Sequence, residues 1–202
     1  VRYGHFTQKA SGGRVSEIKY FEAADCLVQD QLTLRNLEIV NARSDNNKQT
    51  LLDVIDETVT GMGGRLLRSW VLRPSIKRSE IETRQSAVEE LRDPILRAKV
   101  RFLMKQVADL ERLVGRPNRG NASARDLLAL GTTLEQTPLL STAIADARSL
   151  LLQVLSENIF EMPEVRGLIS NAIEDEPPLN INDGGTIRRG FSAELDELRS
   201  LA

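Results

Sequence analysis

The stretch from Gly115 to Gly120 has the four-residue gap of a phosphate-binding loop, G-x-x-x-x-G-K-[ST]. In such a loop backbone N–H groups cradle phosphates, a lysine neutralises them and a hydroxyl holds magnesium. Asn121 and Ala122 stand where the lysine and the Ser or Thr are required. Without that charge and hydroxyl the stretch reads as a helix-to-helix loop carrying Pro117. No G-x-G-x-x-G or H-E-x-x-H occurs. His5, the single histidine, lies in a polar segment with no nearby carboxylate, and reads as exposed rather than as a catalytic base. Cys26, the single cysteine, neighbours Leu27 and Val28 and reads as a small buried hydrophobe. One Cys and one His cannot supply the three or four soft ligands of a zinc site, and they exclude an intrachain disulfide.

Acidic pairs could serve as acid and base at Glu89 with Glu90 or Asp175 with Glu176. Their places on helix faces and at helix ends, close to arginines, read as solvation. Arg97, Lys99, Arg101 and Lys105 form a basic helix face that could touch a DNA backbone. Without interleaved aromatics it reads as a solvated face. Asn121 to Ser123 matches a glycosylation sequon, without consequence in a cytosolic chain, and Trp70 reads as core. The expected lists of catalytic, cofactor-binding and metal residues are therefore empty.

The elements that would position any chemistry are helical. The 202 residues are 41% hydrophobic and 28% charged, an ordinary globular balance, while 4% aromatics disfavour a β-sandwich. The net charge of −2 provides no positive field for gathering nucleic acid, so this chain is not expected to be a main DNA-gripping surface. No apolar run approaches the roughly 18 residues of a membrane span, and a cytoplasmic location is expected. Both ends, Val1 and Ala202, read as cuts within a longer protein.

Residues 1–16 read as a linker, with short extended stretches at Ile18–Phe21 and Cys26–Val28. Asp30 opens a short helix carrying Leu34 and Leu37. Thr50 with Asp53 forms a capping box, and the helix it opens is expected to be interrupted by Gly61, Gly63 and Gly64. The next helix carries Leu66, Leu67, Trp70 and Val71 as a buried stripe and ends at Pro74. Ser79 with Glu82 is a second box, and Asp93-Pro94 an N-cap with proline in the first turn. Leu96, Val100, Leu103, Val107, Leu110 and Val114 recur at intervals of four and three, a seam for packing on another helix. Further starts fall at Ser123 with Asp126, Thr137 with Pro138, and Pro163. Apolar faces run through Leu127, Leu130 and Leu134, then Leu151 and Leu155, then Val165, Leu168, Ile169 and Ile173. Asn182 to Gly185 is a tight turn, and Ser192 caps a last helix with Phe191, Leu195, Leu198 and Ala202 on one stripe. The fold class is all-α, with at most a short β pair near Asp183.

Several blocks occur in a fixed order: Asn36-Leu37-Glu38-Ile39, Thr50-Leu51-Leu52, Gly61-Met62-Gly63-Gly64-Arg65-Leu66-Leu67 with Trp70 and Pro74, Asp109-Leu110-Glu111-Arg112, and Arg125-Asp126-Leu127. Asp183-Gly184-Gly185, Ile187, Gly190-Phe191-Ser192 and Glu194-Leu195-Asp196 complete the series. Together they resemble the MutS family of DNA mismatch-repair proteins, its bacterial branch in particular, over nearly the whole chain from about Tyr20. Two departures are Gly61, where the family often has proline, and the asparagine-rich loop at Asp45–Asn47.

The resemblance implies the helical core or lever domain. Residues 1–16 would be the tail of the connector domain, 17–190 the core, and 191–202 the start of a lever helix leading toward the DNA clamp. The mismatch-reading Phe-x-Glu wedge, the clamp and the Walker ATPase motifs are missing from the chain. The fragment is therefore expected to be no enzyme and to carry no cofactor, ATP and magnesium belonging to the intact family protein. The intact protein would be a homodimer binding mismatched duplex DNA and partners such as MutL, with no membrane role. The implied function is structural coupling of the ATPase to connector and clamp. The alternative is a stand-alone helical scaffold binding a partner protein through an exposed apolar helix face.

Overall fold

The computed structural model describes residues 25–42, 49–116, 122–178 and 183–201. Ten helices occur among the described residues, and the only sheet-like contacts there are two isolated bridges, Cys26 with Ser75 and Ile173 with Ile187. The fold is all-α. None of the described helices is long and apolar enough to cross a membrane. His5, the stretch at Ile18–Phe21, the loop after Pro117, the sequon's Asn121 and the chain end at Ala202 lie outside the described residues.

Helix α1 (Gln31–Asn36) starts where Asp30 accepts the Thr33 N–H at 2.6 Å. Helix α2 (Leu51–Ile55) carries the expected capping box, with Thr50 and Asp53 satisfying each other's backbone N–H groups. The chain after α1 turns at Glu38 (φ +50°), and the Glu38 and Ile39 carbonyls accept the Leu51 and Leu52 N–H groups, joining the two short helices.

Helix α3 (Gly61–Leu72) corrects two expectations. Gly61, Gly63 and Gly64 do not interrupt a helix; they form its first turn, capped by Thr60. A Cβ at Gly63 would sit 3.0 Å from Thr60 Oγ1, so the cap itself requires the small residue. The stripe of Leu66 and Trp70 is not buried, with Leu66 52% and Trp70 38% exposed. Amphipathic spacing fixes which residues share a face but does not supply the neighbour that covers it.

Helix α4 (Arg78–Glu90) begins without the box expected at Ser79 and Glu82. Glu82 instead pairs with Arg78 one turn back, and Glu80 accepts the Ser75 hydroxyl. Helix α5 (Pro94–Met104) starts as expected at Asp93-Pro94. The apolar seam then breaks, because the helix stops and α6 (Leu110–Gly115) starts anew at Asp109. Leu103 is buried and Leu96, Val100, Val107 and Leu110 are half-buried, but Leu113 rather than Val114 turns inward on α6.

Helix α7 (Ala124–Ile144) is the spine, packed by α5, α6, α8 (Leu150–Asn158) and α9 (Pro163–Ala172). It opens at the expected Ser123–Asp126 box. It does not restart at Thr137; Pro138 lies inside it. Proline has no N–H for the carbonyl four residues back, and the Thr137 hydroxyl donates to that Leu134 carbonyl at 2.8 Å instead. Gly131 lets α9 approach, since a Cβ there would meet Ile169 Cγ2 at 3.3 Å. One core centres on Ala124, Ile169, Ala172 and Ile173; another joins Ala87, Ala147 and Leu152 between α4 and α8. On α8 and α9, Leu155, Val165 and Leu168 stay exposed, the buried apolar positions being Leu152, Ile169 and Ala172, with Ile173 at the C-cap of α9. Helix α10 (Ala193–Leu201) ends the described chain.

Candidate functional site

Three joints fasten segments distant in sequence, and each is built at the end of a helix, where backbone groups lack intrahelical partners. The first ties α3 to α6. Asp109, the N-cap of α6, accepts the Arg112 N–H at 3.3 Å and receives both arms of Arg65, at 2.7 and 2.9 Å. Arg65 also reaches Glu111. This two-pronged guanidinium contact holds the Asp109 carboxyl at a pKa of about 2 and raises that of Arg65. Gly61 borders the pair, its absent Cβ lying 3.2 Å from Asp109 Oδ2. Arg101 of α5 closes the same corner by donating to the Glu57 carbonyl at 2.7 Å.

The second joint ties α4 to α8. Ser149 precedes α8 but makes no side-chain cap. The cap comes from α4, where the Glu90 carboxylate accepts the Arg148 N–H at 2.7 Å and the Ser149 N–H at 2.8 Å. Those bonds hold the Glu90 carboxyl below the usual carboxylate range. Glu90 is therefore a cross-helix cap rather than a solvated member of an acidic pair, while Glu89 pairs with Arg92.

The third joint sets the exit of the chain. The Arg188 N–H donates to Ala172 O at 2.8 Å, and the Arg188 side chain reaches Ile173 O at 3.0 Å and Asp175 at 2.7 Å. The intervening turn uses positive φ at Gly184 and Gly185, as the sequence predicts. Gly190 N–H donates to Asp196 at 2.7 Å, and Arg199 donates to Ile187 O at 2.9 Å, fixing the first two turns of α10. Beyond these anchors the outer stripe is open, with Leu198 64% and Leu201 78% exposed.

The expected basic face is divided. Arg97 caps the end of α4 through the Leu91 and Arg92 carbonyls and Arg101 is committed to Glu57, while Lys99 and Lys105 stay exposed. Cys26 is half-buried in its bridge with Ser75, less enclosed than its apolar neighbours implied. Asp175 is paired with Arg188 and Glu176 is exposed. Among the described residues no three His, Cys, Asp or Glu side chains are grouped to hold a metal ion. The joints were not legible as a site, because their partners lie 44 to 59 residues apart in two of the three cases.

The sequence profile of MutS domain III matches residues 32–202. The chain belongs to the MutS domain III family. Among similar proteins, the DNA mismatch repair protein MutS of Solibacter usitatus is 44% identical over the whole chain, which covers 24% of that relative. MutS of Symbiobacterium thermophilum is 44% identical over 96% of the chain and 22% of its own length. MutS of Methanosarcina mazei is 38% identical, with 100% and 23% covered. This MutS domain III chain thus spans about a quarter of the length of the curated relatives it matches. Arg65, Asp109 and Asp196 lie in the blocks that carry the resemblance in the sequence, whereas Glu90, Arg148 and Ser149 of the second joint do not.

Proposed function

We propose that this chain is the core and lever segment of a MutS-like DNA mismatch repair protein, and that it couples an ATPase domain to the connector and the DNA clamp. The observation that carries this reading is the third joint, in which Arg199 and Asp196 key the exit helix to the body through Ile187 O and Gly190 N. A displacement of the body then moves the base of the helix, provided the packing holds discrete arrangements. In this proposal residues 1–16 are the connector tail, 17–190 the core and 191–202 the start of the lever. ATP and magnesium, mismatched duplex DNA, the homodimer, MutL-type partners and the cytoplasmic setting belong to the intact protein. The segment itself contributes no catalysis.

The scaffold alternative needs an exposed apolar face. The Leu96–Leu110 seam does not provide it, since most of that seam faces α7. The test is made in the intact parent protein with Arg199→Ala and Asp196→Ala. ATP hydrolysis without DNA and mismatch affinity without nucleotide should persist, while ATP-triggered release from a mismatch slows. Unaltered release in both variants would sink the coupling role.

A further inference from the structure

A groove of about 770 Å³ runs between α1, the chain that follows it and α3. Leu32, Leu34, Val40 and Leu72 line it, and Leu32 is 67% exposed. Arg35 and Arg68 stand on its two walls, one on α1 and one on α3, both exposed. Among the described residues neither guanidinium has an ion pair, and no carboxylate lines the groove. An apolar groove with two unneutralised cations selects an occupant that is itself apolar and negative. A second apolar groove lies between α3, α4 and α8, with Trp70 on one wall and Leu151 and Leu155 on the other. It makes no such selection, because its cation, Arg84, already lies over the Trp70 ring and pairs with Glu80.

A surface of the selected kind is present elsewhere on the same chain. On α10, Glu194, Glu197, Leu198 and Leu201 recur at i, i+3, i+4 and i+7 and so share one face. All four are exposed, Leu198 at 64% and Leu201 at 78%, and neither glutamate has an ion pair among the described residues. Asp196 and Arg199, which key α10 to the body, project from the opposite side of the helix. The outer face can therefore be covered without breaking that joint.

We propose that the α1–α3 groove receives the outer face of α10 from a second copy of this chain. Charge complementarity carries the assignment: Glu194 and Glu197 meet Arg35 and Arg68, while Leu198 and Leu201 meet Leu32 and Leu72. The spacing agrees. Glu194 and Leu198, Glu197 and Leu201, and Arg68 and Leu72 stand four residues apart, and Leu32 and Arg35 three, so each charge has its leucine about one turn, or about 5 Å, away. One chain does not make this contact within itself, since both surfaces are exposed in the same structure. Groove and helix are different patches, so the contact runs head to tail, and a copy docked by its helix still offers its own groove. Two turns of helix bury less than the roughly 1,200 Å² of a stable interface, so the association is weak and reversible.

Sedimentation equilibrium of the 202-residue chain from about 10 µM to about 1 mM should show a weight-average mass that climbs past one copy. Raising salt from about 0.05 M to about 0.5 M should weaken the association severalfold. Arg35→Ser with Arg68→Ser should remain a single copy over that range, and so should Leu198→Ser with Leu201→Ser. Mixed, the two variants should form a one-to-one pair that grows no further, because the first keeps its helix and the second its groove. That restoration also shows both variants folded, and circular dichroism checks each alone. A native chain that stays single throughout, or a mixture that restores no pairing, would overturn the proposal. Loss of association in the arginine variant alone, with the leucine variant unaffected, would give the groove to a different negative partner and equally reject α10. These measurements use the isolated chain and do not depend on the coupling role.

Discussion

The Thr133 hydroxyl, wholly buried in α7, accepts the Ala108 N–H at 3.0 Å and donates to Ala129 O at 2.7 Å. It thereby holds the break between α5 and α6 against the spine. Thr133→Val keeps the shape and removes the acceptor, leaving a buried N–H unpaired at a cost of about 1–3 kcal/mol. Thr133→Ser should recover most of it. Urea unfolding of both variants, read by circular dichroism, checks the pair; equal midpoints for Val and Ser would remove the hydroxyl from the account.

Acid should weaken the α3–α6 joint. The Asp109 carboxyl titrates at about 2 in the folded chain, below the unfolded value of about 3.9. The folded state binds fewer protons between those values, so the stabilisation is complete above about pH 4 and is lost as pH falls through about 2. The stability gap between the native chain and Asp109→Asn should therefore narrow on acidification. A gap that stays constant from about pH 6 to about pH 2 contradicts the pairing.

Pro138 and Thr137 should be energetically coupled. Pro138→Ala restores the missing donor to Leu134 O and should stabilise α7 by about 0.5–2 kcal/mol. Thr137→Ala should cost about 1 kcal/mol in the native chain and less in the Pro138→Ala background, where the carbonyl has its backbone partner again. A double-mutant cycle with no interaction energy would dismiss the substitution of one donor for the other.

Matched and mismatched duplexes should bind the isolated chain equally weakly, with affinity falling steeply as salt rises. Arg97 and Arg101 are committed to backbone carbonyls, and phosphate contact by the remaining cations carries no sequence information. Gel-shift titrations at two salt concentrations decide this, and a mismatch preference would refute it.

Helix α10 should be less protected than α5. Its outer stripe is uncovered, and a helix of nine residues is marginal by itself in water. Amides of Ala193–Leu201 should exchange faster than those around Leu103, and faster still in Arg199→Ala, which cuts the tie to Ile187 O. Protection equal to that of Leu103 in a monomeric sample would show the helix fully anchored.

What was legible in the sequence was local. The Thr50–Asp53 and Ser123–Asp126 boxes, the Asp93-Pro94 start and the glycine turn each depend on groups within a few residues. Ser79–Glu82 has the same pattern and fails because Arg78 and Ser75 compete for the neighbouring glutamates. Burial of Leu66 and Trp70, the interruption of the seam and the joints through Asp109 and Glu90 depend on partners far along the chain. Periodicity carries no information about those partners. Glu90 shows the limit most sharply, since the helix it caps has no capping side chain of its own.

The α4–α8 clamp also bears on how the chain is made. Glu90 must wait for Ser149, 59 residues later, before its carboxylate has both N–H groups to hold. At ribosomal speeds of about 5–20 residues per second, that interval lasts about 3–12 s. Over the same interval α3 and α4 are already synthesised while Leu151 and Leu155 of the opposite wall are not. The nascent domain therefore emerges with Trp70 uncovered, in a window when chaperone holdases or premature association compete with completion of the body.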